Sequence, residues 1–181
     1  VNLSAWRPDF AVGTSVKYLC GGPGAAFLWT EQATATRCSP IDVGWFSHES
    51  PFEMDIHDFR YADGAARFWG GTPSVAPYAV AAAAFEALHG AGIDNIFAHN
   101  QRLVSRLIAA LPQGALLSNG REGARGSSAI VALADPAAAS EALLREGIIH
   151  DRRAKGLRFS VHLYNDDEDI DALIGALEKW L

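Results

Sequence analysis

Apolar and polar positions follow several distinct rhythms along this chain. Phe10, Ala11 and Val12 form a short apolar run cut by Gly13, and a second run, Ala25 to Trp29, returns after the cluster Gly21, Gly22, Pro23 and Gly24. Short apolar runs separated by turn formers predict two buried strands joined across a tight corner. Residues 31 to 66 lack helical spacing and are interrupted by Pro40, Pro51 and Gly64, which predicts irregular structure. The run Val75 to His89 reads as a helix, with Thr72 as its N-cap and Pro73 at its first position. After Gly90, Ala91 and Gly92, the positions Ile93, Ile96, Phe97, Leu103, Leu107, Ile108 and Leu111 keep helical spacing until Pro112.

From Leu116 onward the rhythm is that of a small α+β unit. Ser128 to Ala134 predicts a strand, and Asp135-Pro136 starts a short helix that Gly147 ends. Leu157, Phe159 and Val161 alternate with Arg158, Ser160 and His162, so this strand should have one apolar face and one carrying the arginine and histidine. Asn165 is expected to open the last helix. Asp166, Asp167 and Glu168 in its first turn complement the helix dipole, and Ile170, Leu173, Ile174, Leu177 and Leu181 form its apolar stripe.

Composition narrows the classes of function. With 49% apolar residues, 181 residues can bury a sizeable core. A formal charge of -6, with no basic run longer than Arg152-Arg153, argues against a nucleic-acid surface. The longest apolar stretch, Ala76 to Phe85, falls short of the roughly 20 residues that span a bilayer. No signal peptide pattern opens the chain, and a cytoplasmic location is expected. Cys20 and Cys38 lie outside any CxxC or His-paired spacing, so neither a disulfide framework nor a metal site is expected.

Four places carry candidate chemistry. Lys17 is the sole lysine before residue 155 and sits between the two apolar runs, after Thr14 and Ser15, with no carboxylate near it after Asp9. A lysine in a Gly-rich loop is ordinarily solvated surface charge. Flanking apolar strands would instead desolvate the amine, lower its pKa and make it a nucleophile for carbonyls. The segment GWFSHESPFEMD, Gly44 to Asp55, sets two aromatics and His48 between turn formers, which suits either an apolar plug or a functional loop. The Thr72-Pro73 helix start suits simple capping or an anion. Arg158 has no acidic partner in its own strand; it suits a structural role or, through its planar fork, a substrate carboxylate.

Taken together, these stretches resemble the class V aminotransferase family, pyridoxal-phosphate enzymes of fold type I, and within it most closely the kynureninases. DFAVGTSVKYLCGGPG is similar to the pattern DFAxGxSYKYLxGGPG, GWFSH to GWFGH, and GIIHDRRAKGLRFSVHLYN to GVIGDxRxPxxLRFGxxPLY. The resemblance implies that Lys17 is the Schiff-base lysine and that the Trp45 indole N–H holds the cofactor phosphate. Thr72 would reach the phosphate of the neighbouring subunit in a homodimer. Arg158 would bind the α-carboxylate of a small amino-acid substrate, with His48 as a second substrate contact. The implied fold is α/β: residues 1–75 end the cofactor-binding large domain with its last sheet strands, and residues 76–181 form a small C-terminal α+β domain with its linking helix.

This sequence departs from the kynureninase pattern at Val16, where that pattern has a tyrosine, and at Ser47, where it has glycine. The tail RFSVHLYN looks like other class V members such as cysteine desulfurases and epimerases, but the persulfide-forming cysteine of the desulfurases has no counterpart after Cys38. Hydrolysis of kynurenine to anthranilate and alanine is the expected reaction. Another class V activity, a transaminase or C–S lyase, and a non-catalytic dimerisation module are the alternatives. The chain opens without Met and enters at once what resembles a late strand, so a fragment is expected. The family's pyridine-nitrogen aspartate, ring-stacking aromatic and first phosphate loop would lie upstream, and the 181 residues alone should be inactive.

Overall fold

In the computed structural model, which describes residues 2–181, Phe10–Thr14 (β1) and Ala26–Thr30 (β2) pair antiparallel, with Phe10 opposite Thr30 and Thr14 opposite Ala26. The expected strand pair is therefore present, but it is not buried: Val12 is 75% and Phe27 49% exposed. Apolarity favours the extended state of β-branched and aromatic residues whether or not a second layer covers them. A two-stranded ribbon must borrow its cover from other elements. The cover here is partial, with Phe10 packing edge-on against Phe68 at a centroid distance of 5.6 Å.

Leu3–Trp6 form a single helical turn (α1), with the Asn2 side chain accepting the Ala5 N–H at 3.0 Å. The stretch expected to be irregular holds a short helix, Gln32–Arg37 (α2), and two 3-10 turns, Trp45–Ser47 and Gly64–Phe68. Six residues are too few for a 3.6-residue period to stand out. The long helix Ala76–Ala91 (α3) begins four residues after Thr72, so Thr72 is not its N-cap. The Val75 carbonyl instead accepts the first helical amides, those of Tyr78 and Ala79. Pro77, not Pro73, occupies the first turn, where a missing N–H costs nothing.

By its contacts the chain divides into a first unit ending at Leu88 and a second running from His89 to Leu181. In the second unit, Ile93–Ala110 (α4), Pro136–Arg145 (α5) and Asp167–Leu177 (α6) accompany a three-stranded antiparallel sheet. Its strands are Ser128–Ala132 (β3), Asp151–Arg153 (β4) and Gly156–Ser160 (β5), in the order β3-β5-β4. The alternation expected around Arg158 is observed from Leu157 to Ser160, with Leu157 and Phe159 buried and Arg158 half-buried between them, but the strand ends at Ser160 and His162, expected to share the polar face with Arg158, is buried instead. Leu103, Val104 and Leu107 of α4 join Val131, Leu143, Leu157, Ile170, Leu173 and Leu177 in one apolar core.

Asp135 caps α5 by accepting the Ala137 and Ala138 amides. The cap of α6 is Asp166, one residue later than expected, because Asp166 and Asp169 exchange side chain-to-amide bonds as a capping box while Asn165 takes the His162 N–H. The strand β4 had no apolar signal to announce it. No helix among the described residues is long and apolar enough to cross a membrane.

Candidate functional site

The corner between β1 and β2 is built around Ser15, which is 2% exposed. Its N–H donates to the Ala25 carbonyl at 3.0 Å, and its hydroxyl is shared between the carbonyls of Gly22 and Ala25 at 3.0 and 3.1 Å. The Gly21 N–H returns to the Ser15 carbonyl at 2.8 Å, and the Cys20 N–H to that of Lys17 at 2.9 Å. Glycine is required at 21: a Cβ there would lie 2.7 Å from the Ser15 Cβ and 3.0 Å from the Ala81 Cα. Lys17 is thus presented by a turn whose backbone is fixed on both sides. Burial, and then the Cys20 thiol, raise the pKa of the adjacent Tyr18 phenol.

The expected desolvation of Lys17 is not supplied by this chain. Lys17 is exposed, because the strands that flank it are themselves open, and its ammonium has no hydrogen-bond or ion-pair partner among the described residues.

Trp45 stands on a loop held by buried polar contacts. The Gly44 backbone approaches the Gly70 carbonyl so closely that a Cβ would lie 1.6 Å from its oxygen. Ser47, fully buried, accepts the Gly44 N–H at 3.0 Å and donates to the Trp69 carbonyl at 2.5 Å, tying the turn to residues 69–70. The hydroxyl at this position, where the kynureninase pattern has glycine, therefore has a structural use. Trp45 is half-packed, edge-on to Phe46 and Phe52 at 4.9 and 5.5 Å, and 41% exposed.

His48 is buried beside it. Nδ1 lies 2.8 Å from the Ser50 carbonyl oxygen and 2.9 Å from the Ser50 amide nitrogen, and Nε2 lies 3.1 Å from the Asp58 carbonyl oxygen. Both nitrogens are used within the loop, so contact with a substrate would break one of these bonds.

Sequence reasoning assigned no role to Arg67, which is 7% exposed. Its Nε donates to the Ala62 carbonyl at 3.1 Å and its Nη1 to those of Ala35 and Cys38 at 2.6 and 3.0 Å, while the guanidinium lies over the Tyr61 ring at 5.6 Å. It fastens the end of α2 to the Gly64–Phe68 turn and the residues that lead into it. Its partners are backbone carbonyls up to 32 residues away, which no local pattern announces.

Thr72 is exposed and, with Gly70, Gly71 and Ser74, lines an open cavity of about 890 Å³ whose apolar walls include Phe27, Phe68, Trp69 and Tyr78. Lys17 and Trp45 do not line it. Lys17, Trp45, His48 and Thr72 all belong to the first unit, and Arg158 to the second. Arg158 does have an acidic partner, supplied by the unanticipated strand β4: its Nε and Nη2 lie 2.9 and 2.5 Å from Oδ2 of Asp151.

Residues 1–173 match the family model described as Aminotransferase class-V. The Bacillus subtilis protein named Uncharacterized aminotransferase YcbU is 30% identical over 173 residues, covering 94% of this chain and 45% of that protein. A kynureninase of Deinococcus radiodurans is 43% identical over 76 residues, 41% of this chain and 18% of that enzyme. Among solved structures, an apo cysteine desulfurase from Thermococcus onnurineus NA1 shares the fold over 99% of this chain and 48% of its own, with a TM-score of 0.85 at 18% identity. The chain spans about half the length of the relatives it matches from end to end.

Proposed function

Because the chain belongs to the aminotransferase class-V family, we propose that it is the lysine-bearing part of a pyridoxal-phosphate enzyme acting on a small amino acid, with kynureninase-like hydrolysis of kynurenine to anthranilate and alanine as its reaction. The observation that carries this reading is the Lys17 corner, an amine without an internal partner on a turn pinned by a buried serine. The donors present fit the cofactor. The Lys17 amine suits an aldehyde, and the exposed Trp45 and Thr72 bring an indole N–H and a hydroxyl suited to a phosphate.

Pyridoxal phosphate, when bound, supplies the electron sink for bond breaking at the substrate α- and β-carbons. With the cofactor bound, the Lys17 amine would hold its aldehyde carbon and would serve as the general base that moves the proton at the substrate α-carbon. Trp45 and Thr72 would hold the phosphate, Thr72 that of a partner subunit in a cytoplasmic homodimer. His48 keeps the Trp45 loop in shape beside the substrate. Arg158 holds the α-carboxylate, orienting the bond to be broken. In this reading residues 1–75 end the large domain, and residues 76–181 form the small C-terminal α+β domain.

The test is the full-length holoenzyme given kynurenine, with anthranilate followed by fluorescence. Release is expected, and Lys17→Ala should lower it by about 10²- to 10⁴-fold or more. Undiminished turnover in that variant would remove Lys17 from the chemistry. A second reading, a transaminase or C–S lyase of the same family, is favoured by Val16, which offers no hydroxyl where the kynureninase pattern has tyrosine. An active holoenzyme that releases no anthranilate but converts other amino acids would select it.

A further inference from the structure

Asp151 lies directly opposite Arg158 on the β4–β5 ladder, and both residues are half-buried. Its Oδ2 accepts from Nε and Nη2 together, at 2.9 and 2.5 Å. A carboxylate on this edge fixes the rotation of the guanidinium plane at the end of a flexible stem. It leaves Nη1 and the outer hydrogen of Nη2 pointing away, the pair that a second carboxylate engages two-pronged. Nη1 of Arg158 has no hydrogen-bond partner among the described residues.

The other oxygen of Asp151 lies 2.6 Å from Nη1 of Arg153, two residues along the same strand and hence on the same face. One carboxylate thus stands between two guanidiniums. From His150 to Ser160 the hairpin holds Arg152, Arg153, Lys155 and Arg158 against Asp151 alone, so the pairing leaves the local charge positive.

We propose that Asp151 is a positioning residue: it orients Arg158 toward the substrate α-carboxylate, while Arg153 shares its charge so that Arg158 is held without being neutralised. This inference rests on the role given to Arg158 above. A plain surface ion pair makes the opposite prediction, since an Asp151 that only competed for Arg158 would weaken carboxylate binding, and its removal would strengthen it.

Calorimetric titration of the full-length holoenzyme with an amino-acid substrate and with its decarboxylated amine separates these cases, because the ratio of the two affinities isolates the carboxylate. Asp151→Asn should lower that ratio about tenfold, the size of one hydrogen bond to a charged group. It should also raise KM with little change in kcat, and Asp151→Glu should restore part of the loss. A ratio unchanged or raised in Asp151→Asn, while Arg158→Ala abolishes it, would overturn the positioning role and leave Arg158 as the anchor. A ratio untouched by Arg158→Ala would overturn the anchor itself, and the inference with it.

Discussion

In the unit ending at Leu88, the buried side chains are mostly small or polar: Ser15, Thr34, Ser47, His48 and Arg67 with Ala25, Ala35, Ala62 and Ala81. From His89 onward they are chiefly large aliphatics, with Leu103, Leu107, Leu143, Leu157 and Leu177 almost completely hidden. The second unit is therefore held by apolar burial, worth about 1.5–3 kcal/mol for each such side chain. The first is held by side chains that bond to backbone, worth about 1 kcal/mol each in net terms but exacting in geometry. Its large apolar residues, Val12, Ile41 and Ile56 among them, stay exposed. Lys17, Trp45 and Thr72 all lie in the unit of the second kind of construction, where loops are shaped by directional bonds on turns rather than sunk into a core.

The contrast can be broken most forcefully at Leu157. Leu157→Ala should destabilise the second unit by about 2–5 kcal/mol in denaturant unfolding, since it removes a fully buried side chain from a continuous core. A loss below about 1 kcal/mol would mean that this core is not what holds the unit. The corresponding experiment in the first unit is Arg67→Met, which keeps much of the length, leaves the carbonyls of Cys38 and Ala62 without the Arg67 donor, and leaves that of Ala35 with the Cys38 N–H alone. It should cost about 1–3 kcal/mol, with faster amide hydrogen exchange concentrated in residues 35–48 and 62–70. A uniform change across both units would contradict the local role.

The smallest effect is expected at the surface of the second unit, where Arg102 and Arg106 bracket Asp167. The Arg102 hydrogen bond, ahead of the charges of Arg102 and Arg106, holds the Asp167 carboxyl below its usual range. A depressed folded pKa gives stability that is present above the unfolded value, about 3.9, and is lost as the pH falls through the folded value. Asp167→Asn should therefore lower stability slightly at neutral pH, with the difference from the parent closing below about pH 4 and shrinking in salt. Stability curves that stay parallel down to acid would rule this linkage out.

Much of the second unit was legible because its signals are local. The helix α4, the Asp135 cap and the alternation around Arg158 each depend on residues within four positions of one another. The miss at α6 was a single residue, because Asn165 and Asp166 are both good caps and only the Asp166–Asp169 exchange decides between them. In the first unit the Lys17 corner could be located from its punctuation of glycines and serine. Its exposure could not be read, since apolar flanking runs look alike whether covered or bare. The short α2 and the three polar residues of β4 carry too little pattern to register.

By itself the sequence determined where the long helices and the principal strands run, which lysine, tryptophan, threonine and arginine to suspect, and the family to which the chain belongs. Only the tertiary structure decided that β1 and β2 are open, that His48 is spent inside its own loop, that Arg67 reaches the distant carbonyls of Ala35 and Cys38 and that Asp151 faces Arg158. Periodicity, capping and turn chemistry act over one or two turns of chain and are written in neighbouring letters. Burial and ion pairing depend on which segments the fold brings side by side, across 7 residues for Asp151 and Arg158 and 32 for Arg67 and Ala35.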